Sequence, residues 1–230
     1  MYYYYDPTFI LIVIGFVLAL ASQALVKFSF SKWSGVQSRS GLTGYEVARR
    51  ILDAGGMPDV PIEPISGSMT DNYNSEENVL YLSETVYNVD SVAAVGVAAH
   101  ECGHALQEKE GYFPLRFRSK LVPVASIGSQ AAIPLFVLGM FLSFEPLQTI
   151  GIYCFVFAVL FYLVTLPVEF NASKRAVAIL GNGIIPDDEL KGVKSVLTAA
   201  AMTYVASALE AVLQLARLII LSKSNSRRRD

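Results

Sequence analysis

The sequence predicts a mainly α-helical integral membrane protein with a charged, water-facing unit and one short β-strand segment. Three observations carry that prediction. Of 230 residues, 53% are apolar and 17% are charged, against about 45 to 50% and about 25% in soluble domains. Apolar runs recur at 8–26, 121–144, 150–166 and 197–221, the first three without a charge, and a helix crosses a bilayer with about 20 such residues. Lysine and arginine gather beside these runs, at Lys27, Lys32, Arg39, Arg49 and Arg50 and again at Lys109, Arg116, Arg118 and Lys120. By the positive-inside rule those stretches are expected in the cytoplasm.

Taken in order, residues 1–26 read as an uncleaved membrane anchor. Tyr2 to Tyr5 resemble an interfacial aromatic belt, and the acidic Asp6 with no basic residue before it argues against a cleaved signal. Residues 27–120 read as a cytoplasmic region. Within it, Gly44 to Ala54 has helical apolar spacing at Val47, Ile51 and Ala54 and stops at Gly55-Gly56. Met57 to Asn78, rich in Pro, Gly, Ser, Asp and Asn, is expected to be loop. Val79 to Ser83 has strand character, and a strand there could offer its edge to an extended peptide.

The stretch that organises the rest is His100-Glu101-Cys102-Gly103-His104, which holds the only two histidines of the chain. On a helix capped by Asp90 or Ser91, positions i and i+4 share one face, so both imidazoles can reach one metal ion. This is the H-E-x-x-H pattern. Zinc takes nitrogen and carboxylate ligands and in catalytic sites leaves one position open, and Glu101 is then free to serve as general base. A hydrogen-bonded histidine pair in an ordinary core is the plain alternative. The small, uncharged flanks and the ligand spacing of both histidines favour the metal, and region 27–120 becomes a zincin-like cytoplasmic catalytic unit.

Residues 121–166 form an expected transmembrane hairpin, with Glu145 to Thr149 as its external loop. Pro167 is expected to start a new helix, which delivers Glu169 on the side of the motif helix as a third ligand. In the remainder of 167–230, Thr203, Ser207, Glu210, Gln214 and Arg217 draw a polar stripe along an apolar helix. Such a stripe belongs against a bundle interior, the catalytic unit or water. Because spanning would carry Arg227 to Arg229 outside, a helix packed on the cytoplasmic unit or lying at the interface is favoured over a fourth span. Cys102 and Cys154 do not form a disulfide framework, and a net charge of −2 gives no footprint for nucleic acid.

From Asp6-Pro7-Thr8 through Leu82-Ser83-Glu84 and Ala98-Ala99-His100-Glu101-Cys102-Gly103-His104-Ala105 to Glu169-Phe170-Asn171-Ala172-Ser173, the chain resembles the bacterial YugP-type zinc-dependent membrane peptidases. More loosely it is similar to the HtpX and CAAX prenyl protease group, whose Glu-containing helix carries Asp four residues after the ligand Glu. Here that position is Ser173. The resemblance implies a peptidase, with no implied substrate.

The expectation is therefore a membrane-anchored zinc metallopeptidase of the plasma membrane, multi-pass, its site facing the cytoplasm. His100, His104 and Glu169 would hold one Zn2+ per chain and Glu101 would be catalytic. Arg175 and Tyr204 are candidates to stabilise the oxyanion, each with an ordinary structural role as its alternative. The partners are the lipid bilayer and a peptide or protein substrate, membrane proteins included. Two rival readings stand beside it: a non-enzymatic scaffold with a structural metal, and a zinc hydrolase of non-peptide amides or esters.

Overall fold

The computed structural model describes residues 6–226, so the tyrosines at 2–5 and the arginines at 227–229 lie outside it. In chain order the elements are α1 (Phe9–Ser34), α2 (Gly44–Ala54), β1 (Ile62–Ile65), β2 (Asn72–Asn74), β3 (Val79–Ser83), α3 (Val92–Lys109), α4 (Phe113–Phe141), α5 (Glu145–Gly181) and α6 (Leu190–Ser226). The protein is mainly α-helical, and α1, α4, α5 and α6 are each long and apolar enough to cross a membrane. Two compact units are present. One comprises Gln23–Arg116 and Pro167–Met202; the other comprises the segments up to Ser22, from Phe117 to Leu166, and from Thr203 onward.

The first unit has a core of the kind water makes. Thr43 and Glu46 form a reciprocal cap at the start of α2: the Thr43 side chain accepts from the Glu46 N–H, and the Glu46 carboxylate accepts from the Thr43 N–H. Val47, Ala48, Ile51 and Leu52 then turn inward to meet Leu80 and Leu82 of β3 and the alanines of α3. The stretch expected to be loop holds two strands. β1 pairs parallel and β2 antiparallel with β3, in the order β1-β3-β2. β3 thus has a neighbour on each side, and the expectation that it offers an edge to a peptide is overturned. Proline in β1 and asparagines in β2 concealed these strands, because short edge strands accept residues that a central strand does not.

The apolar unit is assembled differently. Glycines let α4 and α5 approach closely: a Cβ at Gly128 would lie 2.7 Å from the Cys154 carbonyl oxygen, one at Gly139 2.6 Å from the Gln148 nitrogen, and one at Gly151 2.7 Å from the Ala132 carbonyl oxygen. Small residues that let backbones approach are the usual means of packing helices in lipid. The hairpin turn is shorter than expected. Ser143 takes a left-handed conformation, φ 55°, the Phe144 N–H donates to the Gly139 carbonyl at 2.9 Å, and Glu145 already begins α5.

Pro167 does not begin a helix either. α5 runs through it without a break, since a helix with apolar neighbours tolerates the one backbone bond that proline removes. The polar stripe of α6 resolves as a bundle-facing one. Ser207, Glu210 and Gln214 line a cavity of about 320 Å³ together with residues of α1, α4 and α5, and Arg217 donates to Asp6 at 2.9 Å. Of the segment expected to pack on the cytoplasmic unit or lie at the interface, the residues up to Met202 belong to the unit that carries α3 and those from Thr203 onward to the apolar unit.

Candidate metal centre

Helix α3 is set in place at its first turn. Ser91 is the N-cap, its hydroxyl accepting from the Ala94 N–H at 3.1 Å, and the Val92 N–H donates to the Val36 carbonyl at 2.9 Å. The helix is lined with small residues, and Gly103 has the closest approach. A Cβ there would sit 2.8 Å from the Ala172 carbonyl oxygen of α5, so only glycine lets the two helices meet at this level. The consequence is a short distance between the histidines on α3 and the carboxylate on α5.

His100 Nε2 and His104 Nε2 lie 3.4 and 3.6 Å from the same oxygen, Oε2 of Glu169. Glu169 is buried. The ligand-capable atoms of these three residues all fall within 4.8 Å of one another. Two imidazole nitrogens and one carboxylate oxygen are a donor set that suits zinc.

What turns both Nε2 atoms inward is the partner at each Nδ1. Gln107, fully buried one turn beyond His104, gives its amide nitrogen to the Val168 carbonyl and to Asn171 Oδ1, both at 2.9 Å. Its oxygen is left facing His104 Nδ1 at 3.0 Å. An amide oxygen only accepts, so the ring must carry its proton on Nδ1 and keep the Nε2 lone pair for a metal. Asn171 is held in turn by Arg175 Nε at 2.8 Å, and Arg175 pairs with Glu110 through two bonds of 2.8 and 2.7 Å. On the other ring, Ser173 Oγ lies 3.1 Å from His100 Nδ1. A hydroxyl thus meets the histidine at the position where the HtpX-like pattern has Asp.

Glu101 stands apart from this trio. Its Oε2 accepts from the Tyr73 N–H of β2 at 3.2 Å. Burial pushes its carboxyl above the ordinary range. The two imidazoles pull it down, and the Glu169 and Asp71 carboxylates add to the rise. Asp71 is itself raised by burial, against the bonds it receives from the Ser83 N–H and hydroxyl at 2.7 and 2.9 Å. Beside Tyr73 a cleft of about 300 Å³ opens between Met57, Val60, Ala105 and Glu108.

Of the other residues singled out in the sequence, Arg175 spends its guanidinium on Asn171 and Glu110, which removes it as an oxyanion donor. Tyr204 belongs to the apolar unit. Cys102 turns toward α2, its thiol donating to the Ala48 carbonyl at 3.6 Å, with burial pushing its pKa upward. Gln107 and Tyr73 were not anticipated. The spacing of Gln107, three residues after His104, is the signal that could have found it, since i and i+3 share a helix face. Tyr73 contributes a backbone atom, which no side-chain pattern announces.

Residues 8–223 match the family described as "Putative neutral zinc metallopeptidase". The chain belongs to this family. It is also 48% identical over 205 residues, 89% of its own length and 91% of the relative's, to a protein of Bacillus subtilis (strain 168) described as "Putative membrane protease YugP". No solved structure matches it. With four helices among the described residues long and apolar enough to span, this member of the zinc metallopeptidase family is a multi-pass membrane protein.

Proposed function

We propose that the protein is a membrane-anchored zinc metalloendopeptidase in which His100, His104 and Glu169 hold one zinc ion and Glu101 is the general base. The observation that carries this reading is the convergence of both Nε2 atoms on one Glu169 oxygen while each Nδ1 is held by another residue. Zinc bound there supplies Lewis-acid polarisation of a carbonyl and a water of lowered pKa. The protein's own part is proton handling. Tyr73 holds Glu101 through Oε2, which leaves Oε1 to take a proton from water and pass it to the leaving amine. A metal that only braced a scaffold would have no use for such a carboxylate beside the ligands.

Two variants test the assignment. Glu101→Gln is expected to keep full zinc by elemental analysis and to lose about 10²- to 10⁴-fold in peptide turnover. Glu169→Ala is expected to lose zinc and turnover together. An active Glu101→Gln enzyme sinks the mechanism, and a fully loaded Glu169→Ala removes the third ligand. Hydrolysis of an ester or non-peptide amide panel, with peptides untouched, would move the protein to the rival hydrolase reading.

We further propose that the site faces the cytoplasm, on the lysine and arginine bias of 27–120 and the region around Lys174. Cysteines placed near residue 60 are expected to resist an impermeant thiol reagent in intact cells. Labelling there would reverse the orientation.

A further inference from the structure

The apolar run of α5 ends at Leu166 and that of α6 begins at Leu197, with no apolar run long enough to cross a membrane between them. Both helices therefore meet the same face of the membrane. At that boundary, α5 and α6 line a pocket of about 270 Å³, wholly within the unit that contains Pro167–Met202. Lys174 from α5 and Lys194 from α6 both line it, together with Ser173, Thr198 and the apolar Phe170. Neither lysine has a hydrogen bond or ion pair among the described residues. Phe170, one of the lining residues, leaves 44% of its surface exposed, which is costly in water unless something apolar covers it.

At a rise of 1.5 Å per residue, Lys174 is about 12 Å past the end of the α5 apolar run and Lys194 about 4.5 Å short of the α6 run. Lysine stems reach along apolar surface and carry the charge toward the headgroup layer. We propose that this pocket binds an anionic glycerophospholipid, with its phosphate between Lys174 and Lys194 and the start of an acyl chain over Phe170. Charge selects the headgroup, because two unpaired cations flank one opening. The exposed Phe170 ring selects a lipid over free phosphate, which would leave that ring wet. The inference does not depend on peptidase activity. It also places the lipid next to Ser173, whose hydroxyl meets His100.

The test titrates the purified full-length protein in neutral detergent with short-chain phosphatidylglycerol, short-chain phosphatidylcholine and inorganic phosphate, read by native mass spectrometry. Phosphatidylglycerol is expected to bind about ten- to thirty-fold more tightly than phosphatidylcholine, as two basic side chains near a headgroup allow. The Lys174→Gln/Lys194→Gln protein should lose that preference. Lys174→Arg/Lys194→Arg should keep it, and so should Lys120→Gln/Lys223→Gln, which removes two other flanking charges. Unchanged zinc content and melting temperature in each variant exclude a folding defect as the cause. Equal binding of the two lipids by the wild type would overturn the proposal. So would a preference that survives Lys174→Gln/Lys194→Gln, or one lost equally in Lys120→Gln/Lys223→Gln. Displacement of the lipid by equimolar inorganic phosphate, or by an acidic peptide, would give the pocket to a different ligand.

Discussion

The unit that carries α3 and the apolar unit use the same residue types turned in opposite directions. In the first, Val47, Leu52, Leu80, Leu82 and Val95 have no exposed surface; in the second, Phe16, Ile127 and Phe141 expose 58%, 71% and 85% of theirs. Water drives apolar side chains inward, whereas lipid tails are as apolar as leucine and exert no such drive. The apolar unit is accordingly joined by close backbone approach at Gly128, Gly139 and Gly151, whereas the other adds extensive side-chain burial to the one such approach described above, at Gly103. Hydropathy alone does not separate the two, for Val92 to Ala99 of α3 is as free of charge as much of α1.

Two substitutions set that contrast against itself. Leu52→Ala is expected to cost about 2 to 5 kcal/mol through the lost burial and the cavity left behind. It should lower the melting temperature in detergent and leave membrane insertion untouched. Ile127→Lys, at the middle of α4, is expected to act the other way, costing about 2.5 to 3.5 kcal/mol of insertion. Its readout is the fraction of chain released from membranes by alkaline carbonate. Release no greater than in the wild type would show that this face does not meet lipid.

A smaller effect is expected at the buried amide. Gln107→Leu removes the acceptor for His104 Nδ1 and should weaken zinc by about 10- to 100-fold in chelator competition, as losing a hydrogen-bond partner of a ligand histidine commonly does. Gln107→Glu keeps an oxygen for that ring nitrogen while giving up the donors to Val168 and Asn171, so its affinity should fall between the two. Equal zinc affinity in Gln107→Leu and the wild type would reduce Gln107 to packing.

The smallest effect is a pH dependence. Buried Glu189 accepts from the Ser38 hydroxyl at 2.7 Å and from the Arg39 backbone N–H and Nε at 2.9 and 3.0 Å. Burial alone would raise its carboxyl, but these donors hold it below the ordinary range. A lowered folded-state pKa adds stability that is complete above the unfolded value, about 4.3, and is lost as pH falls through the lower folded value. Glu189→Gln should therefore flatten the acid side of a melting-temperature profile between about pH 4.3 and more acidic values. An identical profile would assign the acid sensitivity to other carboxylates.

How much of this was legible in the chain depends on range. Local chemistry was: helix periodicity from Gly44 to Ala54, a cap at Asp90 or Ser91, the β3 segment, the apolar runs, and two histidines one helical turn apart are all written within a few residues of each other. Even Glu169, 65 residues beyond His104, could be named, because helix direction and the hairpin constrain where it emerges. Pairing was not legible. β1 and β2 are too short and too polar to announce themselves, and only their neighbours show that β3 is central and that Tyr73 reaches Glu101. Pro167 read locally as a helix start, yet α5 passes through it, since a missing backbone bond is tolerated where the helix continues among apolar neighbours. The sequence by itself determined which residues are available for metal chemistry and which segments are apolar enough to span. The tertiary structure decided which nitrogen of each imidazole faces Glu169, which way the stripe on α6 turns, and which apolar residues are core. Those choices rest on contacts between residues distant in the chain, such as Gly103 against Ala172 and Gln107 against Val168, and no short-range pattern encodes them.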